Sequence, residues 1–223
     1  MTLGQKVHLS GKVGKAAAGH LVKLYERPSA DVPWRYQRNA LVHRDGHYTT
    51  YDKPSVNSPR WYRVVMPGDK HHKKGVSDQV RVDVFRWTSL TSFTSVNAKF
   101  IAVQPAVAIN GVSYPSSLEA QIVHVPTDSP NPQSIEFNLN RKCTRFRGTF
   151  GMADDSEASG QANVSASADG APWFDHTYAL GESDHNLFDF ETPPLKVRFE
   201  TTSEVTGVDG FGAVGTPEVY CER

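Results

Sequence analysis

The sequence has no surplus of charge of either sign and no long apolar stretch. Lys and Arg number 24, as do Asp and Glu, so the formal net charge at pH 7 is +0. Proteins that neutralise phosphates, or that adhere to membranes through basic segments, carry an excess of Lys and Arg. No apolar run approaches the roughly 18 residues that a membrane-spanning helix requires. We therefore expect neither a nucleic-acid nor a membrane partner.

The first residues also lack the pattern of a secretory signal peptide. No basic segment followed by an apolar one is present near Met1. Two explanations stay open at this point. The chain is either a mature domain carrying an added Met, or a protein that stays in the cytoplasm until something else releases it.

Helical periodicity is scarce, and strand-like alternation is common. Apolar and polar residues alternate over 79–85, 134–139 and 195–199, and turn-forming pairs such as Asn110-Gly111 and Asp169-Gly170 lie between such runs. The nearest helical candidate, 15–22, is short and is interrupted by Gly19. Scattered prolines, 14 in all, further oppose long helices. The sequence therefore predicts an all-β chain.

The pattern divides near residue 87. About seven strands are predicted before this point, and the Ser- and Thr-rich segment 88–95 leads into a longer β unit. We predict two β-sandwich domains, 1–87 and 88–223. The 4 Trp, 8 Tyr and 11 Phe residues supply core material, and we assign Trp34, Trp61 and Trp87 to the core of a sandwich.

Each predicted domain resembles a known kind of module. The series around 7–13, 22–25, Trp34 and 61–65 resembles the Ig-like or fibronectin-like sandwiches of actinobacterial surface proteins, which act as spacers or docking units. The segments 109–118, 141–155 and 212–221 resemble the NPCBM family of carbohydrate-binding jelly rolls. In this chain Val214 and Thr216 stand where that family usually has a Trp and an acidic residue.

The NPCBM resemblance suggests a disulfide, because it places the strands that carry Cys143 and Cys221 side by side. The alternative is a pair of buried free thiols. We expect the disulfide, as a structural rather than a redox element.

The same resemblance implies a carbohydrate ligand, and the segment 171–178 carries suitable residues. Aromatic faces stack against the C–H side of a sugar, while polar groups bond its hydroxyls. We predict a binding site from Trp173, Asp175, His176, Tyr178 and Phe211. Strand alternation predicts that Trp173 and Phe174 point to opposite sides, one to the core and one outward. Phe188 and Phe190 are further candidates.

No cofactor is expected, and metal binding has one weak candidate. Asp154, Asp155 and Glu157 offer oxygen ligands for Ca²⁺ but lack the spacing of an EF-hand loop, so a solvated acidic turn is the alternative. His71 and His72 lack a third ligand nearby and are assigned to a solvated basic loop.

Catalysis is not expected. The pairs Asp175-His176 and Asp184-His185 suggest acid–base dyads, but no Gly-x-Ser-x-Gly or His-Glu-x-x-His motif accompanies them.

These expectations lead to a functional hypothesis. The chain is predicted to be a non-catalytic virion accessory protein of an actinobacterial phage, in the tail or on the capsid. It would bind host surface glycan with its second domain, attach to other virion proteins through its first, and be repeated by the symmetry of the particle. The alternatives are a purely structural decoration protein and a carbohydrate-binding fragment of a secreted actinobacterial protein.

Overall fold

The computed structural model describes residues 1–70, 73–121, 132–205 and 207–223, which form strands and two short 3-10 helices. The chain is all-β, which confirms the predicted fold class. It divides into unit 1, Met1–Arg86 with Glu222–Arg223, and unit 2, Trp87–Cys221. The predicted basic loop at His71 and His72 lies outside the described residues. No described helix is long and apolar enough to cross a membrane.

Unit 1 consists of two antiparallel sheets around one core. Its strands are β1 (Val7–Lys12), β2 (Leu21–Arg27), β3 (Arg35–Leu41), β4 (His47–Asp52), β5 (Arg60–Met66), β6 (Gly75–Val76) and β7 (Val80–Val82). One sheet pairs β1 with β4, and the other has the order β3-β2-β5-β6, with β7 also paired to β5. Alternate residues of both sheets form one buried cluster, which includes Val7, Tyr48, Leu24, Tyr62 and Val64.

Unit 2 is a larger sandwich of two antiparallel sheets. Its strands are β8 (Arg86–Ser89), β9 (Ser95–Lys99), β10 (Ile101–Ile109), β11 (Val112–Ala120), β12 (Gln133–Asn138), β13 (Cys143–Met152), β14 (Gln161–Ala168), β15 (Ala171–Ala179), β16 (Ser183–Asp189), β17 (Lys196–Ser203) and β18 (Gly212–Cys221). The front sheet has the order β10-β11-β18-β13-β16, with β8 beside β18. The back sheet has the order β15-β14-β17-β12-β9.

Two hairpins of unit 2 form at turns that the sequence predicted. Asn110 and Gly111 join β10 to β11 with φ values of 50° and 74°, and Asp169 and Gly170 join β14 to β15 with φ values of 50° and 86°. Consecutive positive φ angles are typical of type I′ turns, which favour Asn or Asp followed by Gly. Asp169 also accepts hydrogen bonds from the backbone N–H groups of Leu195 and Lys196, each at 3.0 Å.

The segment 15–22, which was too short and interrupted to predict a helix, forms only a 3-10 turn at Lys15–Ala17, because β2 begins at Leu21 and pairs with both β3 and β5. The assignment of three tryptophans to a sandwich core was wrong. Trp34, Trp61 and Trp87 are each only partly buried and lie outside the buried clusters. Guanidinium groups cover all three rings instead of core side chains.

The two cysteines are joined across neighbouring strands of the front sheet. Cys143 begins β13, Cys221 ends β18, and the two residues are register partners with a Cα–Cα distance of 4.0 Å. They form a disulfide that closes a loop with a sequence separation of 78. Both residues are buried, so the bond joins two adjacent strands of the unit 2 core, β13 and β18.

Loss of this bond should destabilise unit 2 alone. In the chain-entropy model a loop of this length contributes about 4.5 kcal/mol. We expect the variant C143S/C221S to lose about that much free energy of unfolding in the unit 2 transition, measured by denaturant titration. The unit 1 transition is the internal control, because that unit contains no cysteine. A change below about 1 kcal/mol in unit 2 would contradict the prediction.

A buried carboxylate organises the outer side of the back sheet. Glu136 on β12 is only 5% exposed. It accepts hydrogen bonds from Asn97 at 3.0 Å, Lys196 at 3.1 Å and Arg198 at 3.1 Å. The Asn97 hydrogen bond, followed by those of the two cations, lowers the pKa of Glu136 against the opposing effect of burial. The folded chain therefore favours the ionised form.

The pH dependence follows from the direction of this shift. A carboxyl with a lowered pKa stabilises the fold above its unfolded pKa, near 4.5, and loses that contribution as the pH falls through the folded pKa. We expect Glu136→Gln to lower the melting temperature at pH 7, and the difference from the wild type to shrink below about pH 4.5. Glu157→Gln, at an exposed position, is the control and should show no such convergence. A difference that is constant with pH would exclude this role.

Candidate functional site

Four of the five predicted sugar-binding residues lie on β15, the last strand of the back sheet. The next strand, β16, is the last strand of the front sheet, and a turn at 180–182 connects the two. Because each is an edge strand, the space between them is the open side of the sandwich. Core-side residues of β15 and β16 meet along this side.

A β-bulge determines where the aromatic residues of β15 point. Ala166 is paired with Phe174, but the next residue, Ser167, is paired with Pro172, so Trp173 is the extra residue. The bulge cancels the alternation that predicted opposite directions for Trp173 and Phe174. Both side chains are partly buried and pack against the core.

Trp173 is therefore mainly a packing residue. Its ring stacks on Phe188 with a centroid distance of 4.7 Å and lies 5.1 Å from Phe146. Phe174 stacks on Phe150 at 4.1 Å. Only the part of the Trp173 ring that is not packed against the core is therefore available to stack on a sugar. The indole Nε1 atom is buried and has no hydrogen-bond partner.

Tyr178 is buried, contrary to its predicted place at a binding surface. Only 1% of the residue is exposed, and its hydroxyl donates to Asp184 Oδ2 at 3.2 Å. Burial, and then the charge of Asp184, raise the pKa of Tyr178. The phenol therefore stays protonated and directs the Asp184 carboxylate rather than offering a ring face to a ligand.

His176 and Asp175 are exposed but point to different sides of β15. The His176 ring lies on the same side as Tyr178, with centroids 4.6 Å apart. The Asp175 carboxylate lies on the outer side of the back sheet, where it accepts a hydrogen bond from Asn163 Nδ2 at 2.7 Å. The structure therefore places His176 with Trp173 and Tyr178, and separates Asp175 from them.

Asn186 on β16 is a site residue that the sequence analysis missed. It lies between Asp184 and Phe188, which both face β15. Its register partner is Gly148, where a Cβ would lie only 3.0 Å from Phe146 and 3.3 Å from Val214, so the core side is closely packed there. Asn186 Nδ2 is buried and has no hydrogen-bond partner. The alternation of residues 184, 186 and 188 is the signal that could have identified it.

These residues define a continuous strip that we call the edge seam. His176 and Asn186 form its middle. Trp173, Phe174 and Phe188 form its aromatic part, and the hydrogen-bonded pair Tyr178 and Asp184 forms its polar end. The members of the edge seam are Trp173, Phe174, His176, Tyr178, Asp184, Asn186 and Phe188.

Phe211 lies elsewhere. It packs with Tyr114 against a small separate cluster of Val107, Ile109, Ala153 and Ala213. Phe188 and Phe190, the further aromatic candidates, pack in the main core rather than in turns. Val214, at the position that differs from the NPCBM pattern, is 2% exposed and also belongs to the core.

The acidic turn and the candidate dyads have partners of their own. Asp154 accepts a hydrogen bond from the backbone N–H of Gly111 at 2.9 Å, and the N–H of Glu157 donates to the carbonyl of Asp209. His185 Nδ1 lies 3.3 Å from the Thr149 hydroxyl. Within residues 1–70, 73–121, 132–205 and 207–223, no three His, Cys, Asp or Glu side chains are grouped so that they could hold a metal ion.

Comparisons with known proteins give only distant likenesses. No protein-family model and no curated protein matches the sequence. Tandem CBM51 modules of a family 98 glycoside hydrolase from Streptococcus pneumoniae are similar over 98% of this chain and 77% of theirs, at 9% identity and a TM-score of 0.48. The CBM51 of a Clostridium perfringens GH95 protein, in complex with methyl-galactose, is similar over 60% of this chain and 99% of that chain, at 12% identity and a TM-score of 0.44.

A third likeness involves the CBM51-2 and INT domains of Clostridium perfringens ZmpB in complex with GlcNAc, at 8% identity and a TM-score of 0.47. The matched region covers 75% of this chain but only 38% of the ZmpB chain. No ligand or activity of this protein follows from likenesses of this size.

The structure separates packing residues of the edge seam from exposed ones, and this can be measured. Truncating a packed aromatic residue costs about 3–5 kcal/mol, whereas an exposed substitution usually changes stability by less than about 0.5 kcal/mol. We expect Trp173→Ala to destabilise unit 2 by the larger amount and His176→Ala by the smaller one, in denaturant unfolding. Similar losses for the two variants would contradict the assignment of Trp173 to the core.

Proposed function

We propose that unit 2 is a non-catalytic carbohydrate-binding module and that its ligand binds at the edge seam. One observation carries the proposal. Trp173 Nε1 and Asn186 Nδ2 are buried N–H donors without a partner, and both belong to the strip that contains the exposed His176. Buried donors are nearly always hydrogen-bonded, so two at one open edge point to an acceptor supplied by a ligand.

A sugar has the groups that this strip requires. Each hydroxyl both donates and accepts, so its oxygen can accept from the Trp173 or Asn186 N–H group while its hydrogen is donated to Asp184. Asp184 is exposed, and the hydroxyl of Tyr178 already fixes one of its oxygens. Because this hydrogen bond already restrains the Asp184 side chain, its other oxygen would accept from a sugar hydroxyl with little further loss of side-chain freedom.

The apolar side of a sugar also has a surface to contact. Trp173, Phe174 and Phe188 are partly exposed, and their rings are held in place by stacking on Phe188, Phe150 and Trp173 respectively. His176 adds an exposed ring beside them. Rigid aromatic edges beside fixed polar groups suit a ligand that is apolar on one face and hydroxylated at its rim.

The charge of unit 2 favours an uncharged glycan. Residues 87–221 contain 7 Lys and Arg against 16 Asp and Glu, a formal charge of −9. Repulsion by this charge would weaken binding of polyanionic chains. The Asp184 carboxylate at the site would in addition repel an anionic group of the ligand directly. A neutral hexose or N-acetylhexosamine is repelled neither by the net charge of unit 2 nor by the Asp184 carboxylate.

Binding should depend on two residues that do little for stability. We expect His176→Ala and Asn186→Ala each to raise the Kd for a glycan identified on an array by at least tenfold, about 1.4 kcal/mol. Isothermal titration calorimetry would measure the effect. The matched control is His185→Ala, since His185 is also an exposed histidine but lies with Thr149 in the front sheet.

Two results would contradict the proposal. One is the absence of saturable binding to any neutral glycan by the folded chain. The other is equal loss of affinity in the His176 and His185 variants, which would place the ligand away from the edge seam.

The setting is a separate proposal, in which the module is carried by a phage virion and attached through unit 1. It is supported by the resemblance of the first residues to Ig-like docking modules. Mass spectrometry of purified particles tests it, and absence of the chain from them would contradict it. Presence in the particle without glycan binding would instead favour a decoration protein.

A further inference from the structure

The two units carry opposite charges that cancel in the whole chain. Unit 1 contains 17 Lys and Arg against 8 Asp and Glu, a formal charge of +9, while unit 2 carries −9. The net charge of +0 therefore conceals two strongly and oppositely charged units. Such a separation favours association between unlike units.

The positive unit has one sheet face with an unusual composition. Core-side residues of β2 and β5, such as Leu24 and Val64, are buried, so the alternate residues of these strands form the outer face. Across the strands, Tyr36, Tyr25 and Arg63 form one row, and Arg27, Trp61 and Arg81 form another. We call this the basic aromatic face; its members are Leu21, Lys23, Tyr25, Arg27, Trp34, Tyr36, Leu41, Trp61, Arg63 and Arg81.

Stacking holds the cations of this face in place. The guanidinium carbon of Arg63 lies 4.2 Å from the Trp34 ring centroid, that of Arg27 lies 4.5 Å from the same ring, and that of Arg81 lies 5.4 Å from Trp61. The described part of unit 1 has six such cation–π pairs, where about one is typical for a chain of this length.

The face also exposes apolar surface. Leu21, Tyr36 and Leu41 are 47%, 52% and 51% exposed, and Leu21 and Leu41 are register partners on adjacent strands. No Asp or Glu occupies an outer position of β2, β5 or β7. Aromatic residues and Arg, with few acidic residues, are the composition of protein–protein interfaces and their energetic centres.

Unit 2 has an acidic end that complements this face. The stretch 148–195 has no Lys or Arg, and four of its nine Asp and Glu lie in the turns of this end, whereas Asp169 and Asp189 pair with Arg141 and Arg145 elsewhere. The turns of this end meet one another, since Asn110 lies 3.5 Å from Ser183 and Gly111 donates to Asp154. Burial and the charge of Asp155 raise the pKa of Glu119 nearby. We define the acidic end by Asp154, Asp155, Glu157 and Glu182, which are all exposed.

We propose that the basic aromatic face of one copy binds the acidic end of unit 2 of a second copy. In each contact one copy uses its basic aromatic face and the other uses its acidic end. Each of the two copies therefore keeps its other surface for a further neighbour. Such heterologous contacts build rings or open chains rather than closed dimers. The proposal is independent of the sugar site, but a row of copies would present glycan sites together and strengthen weak binding by avidity.

A second copy fits this face better than a nucleic acid does. Single-stranded nucleic acids stack their bases on open aromatic rings, whereas guanidinium groups cover Trp34, Tyr25 and Trp61 in this face. Arg81 already donates to Asp83 at 2.7 Å, and Arg27 donates to the Ala30 carbonyl and to Gln79. Among the described residues no carboxylate pairs with Arg27 or Arg63, and guanidinium groups bind carboxylates in bidentate geometry. Every copy of the chain carries one acidic end and one basic aromatic face, so the carboxylates of the acidic end are always as abundant as the face they would bind.

Sedimentation velocity of the full chain tests the association. We expect the mass to rise with protein concentration at 50 mM NaCl and to fall toward that of the monomer at 500 mM, because ion pairs are screened. The variant R27E/R63E should raise the Kd for association at least tenfold. The matched control K15E/K53E carries the same charge change at exposed positions away from the face and should associate far more strongly.

A mixing experiment tests the head-to-tail arrangement. R27E/R63E keeps the acidic end, and D154N/D155N keeps the basic face while the two neutral amides in its acidic end attract neither the native nor the reversed face, so each alone should be monomeric. Mixed, they should form a 1:1 complex and nothing larger, whereas the wild type forms longer species.

Three results would overturn the proposal. They are a monomeric wild type at low salt, normal association of D154N/D155N, and tight binding of the wild type to single-stranded DNA with no self-association. The sedimentation of the wild type at 50 and 500 mM NaCl shows whether the chain self-associates, even if a variant does not fold.

Discussion

Unit 2 depends on the packing of two phenylalanines between its sheets. Phe146 and Phe150 are fully buried on β13, the strand between β18 and β16. Phe146 contacts Trp173 and Phe199 of the back sheet at 5.1 and 5.5 Å, and Phe150 stacks on Phe174 at 4.1 Å. Each buried ring contributes roughly 1.5–3 kcal/mol, and the same contacts hold the aromatic residues of β15 in the edge seam. Core and candidate site therefore share one set of interactions.

The strands and hairpins follow from local patterns, which is why the sequence predicts them well. Alternation determines which side of a strand is buried, and Asn110-Gly111 and Asp169-Gly170 adopt the φ angles that only such pairs favour. The bulge at Trp173 has no comparable local signal. It depends on how Ala166 and Ser167 pair with β15, and one inserted residue reverses the direction of every side chain beyond it.

The candidate site was predicted only in part for the same reason. His176, predicted to bind sugar, is exposed on β15, whereas the burial of Tyr178 and the position of Asn186 depend on β16, which the chain brings close only in the folded sandwich. The tryptophans of unit 1 show the opposite error. Hydrophobicity assigned Trp34 and Trp61 to the core, while their actual neighbours are Arg27, Arg63 and Arg81.

The edge seam and the basic aromatic face each contain buried N–H groups without a hydrogen-bond partner. A buried N–H group without a partner costs about 1–3 kcal/mol, a large fraction of a domain stability of about 5–15 kcal/mol. Phe or Leu at 173 and 186 would remove that cost, since neighbouring seam positions already hold Phe174 and Phe188. The buried Nε atoms of Arg27 and Arg63 likewise have no partner. Arg38, Thr50, Arg60 and Thr201 carry similar buried atoms elsewhere, so it is the position of Trp173 and Asn186 on the open side of the sandwich, beside the exposed His176, that supports the proposed site.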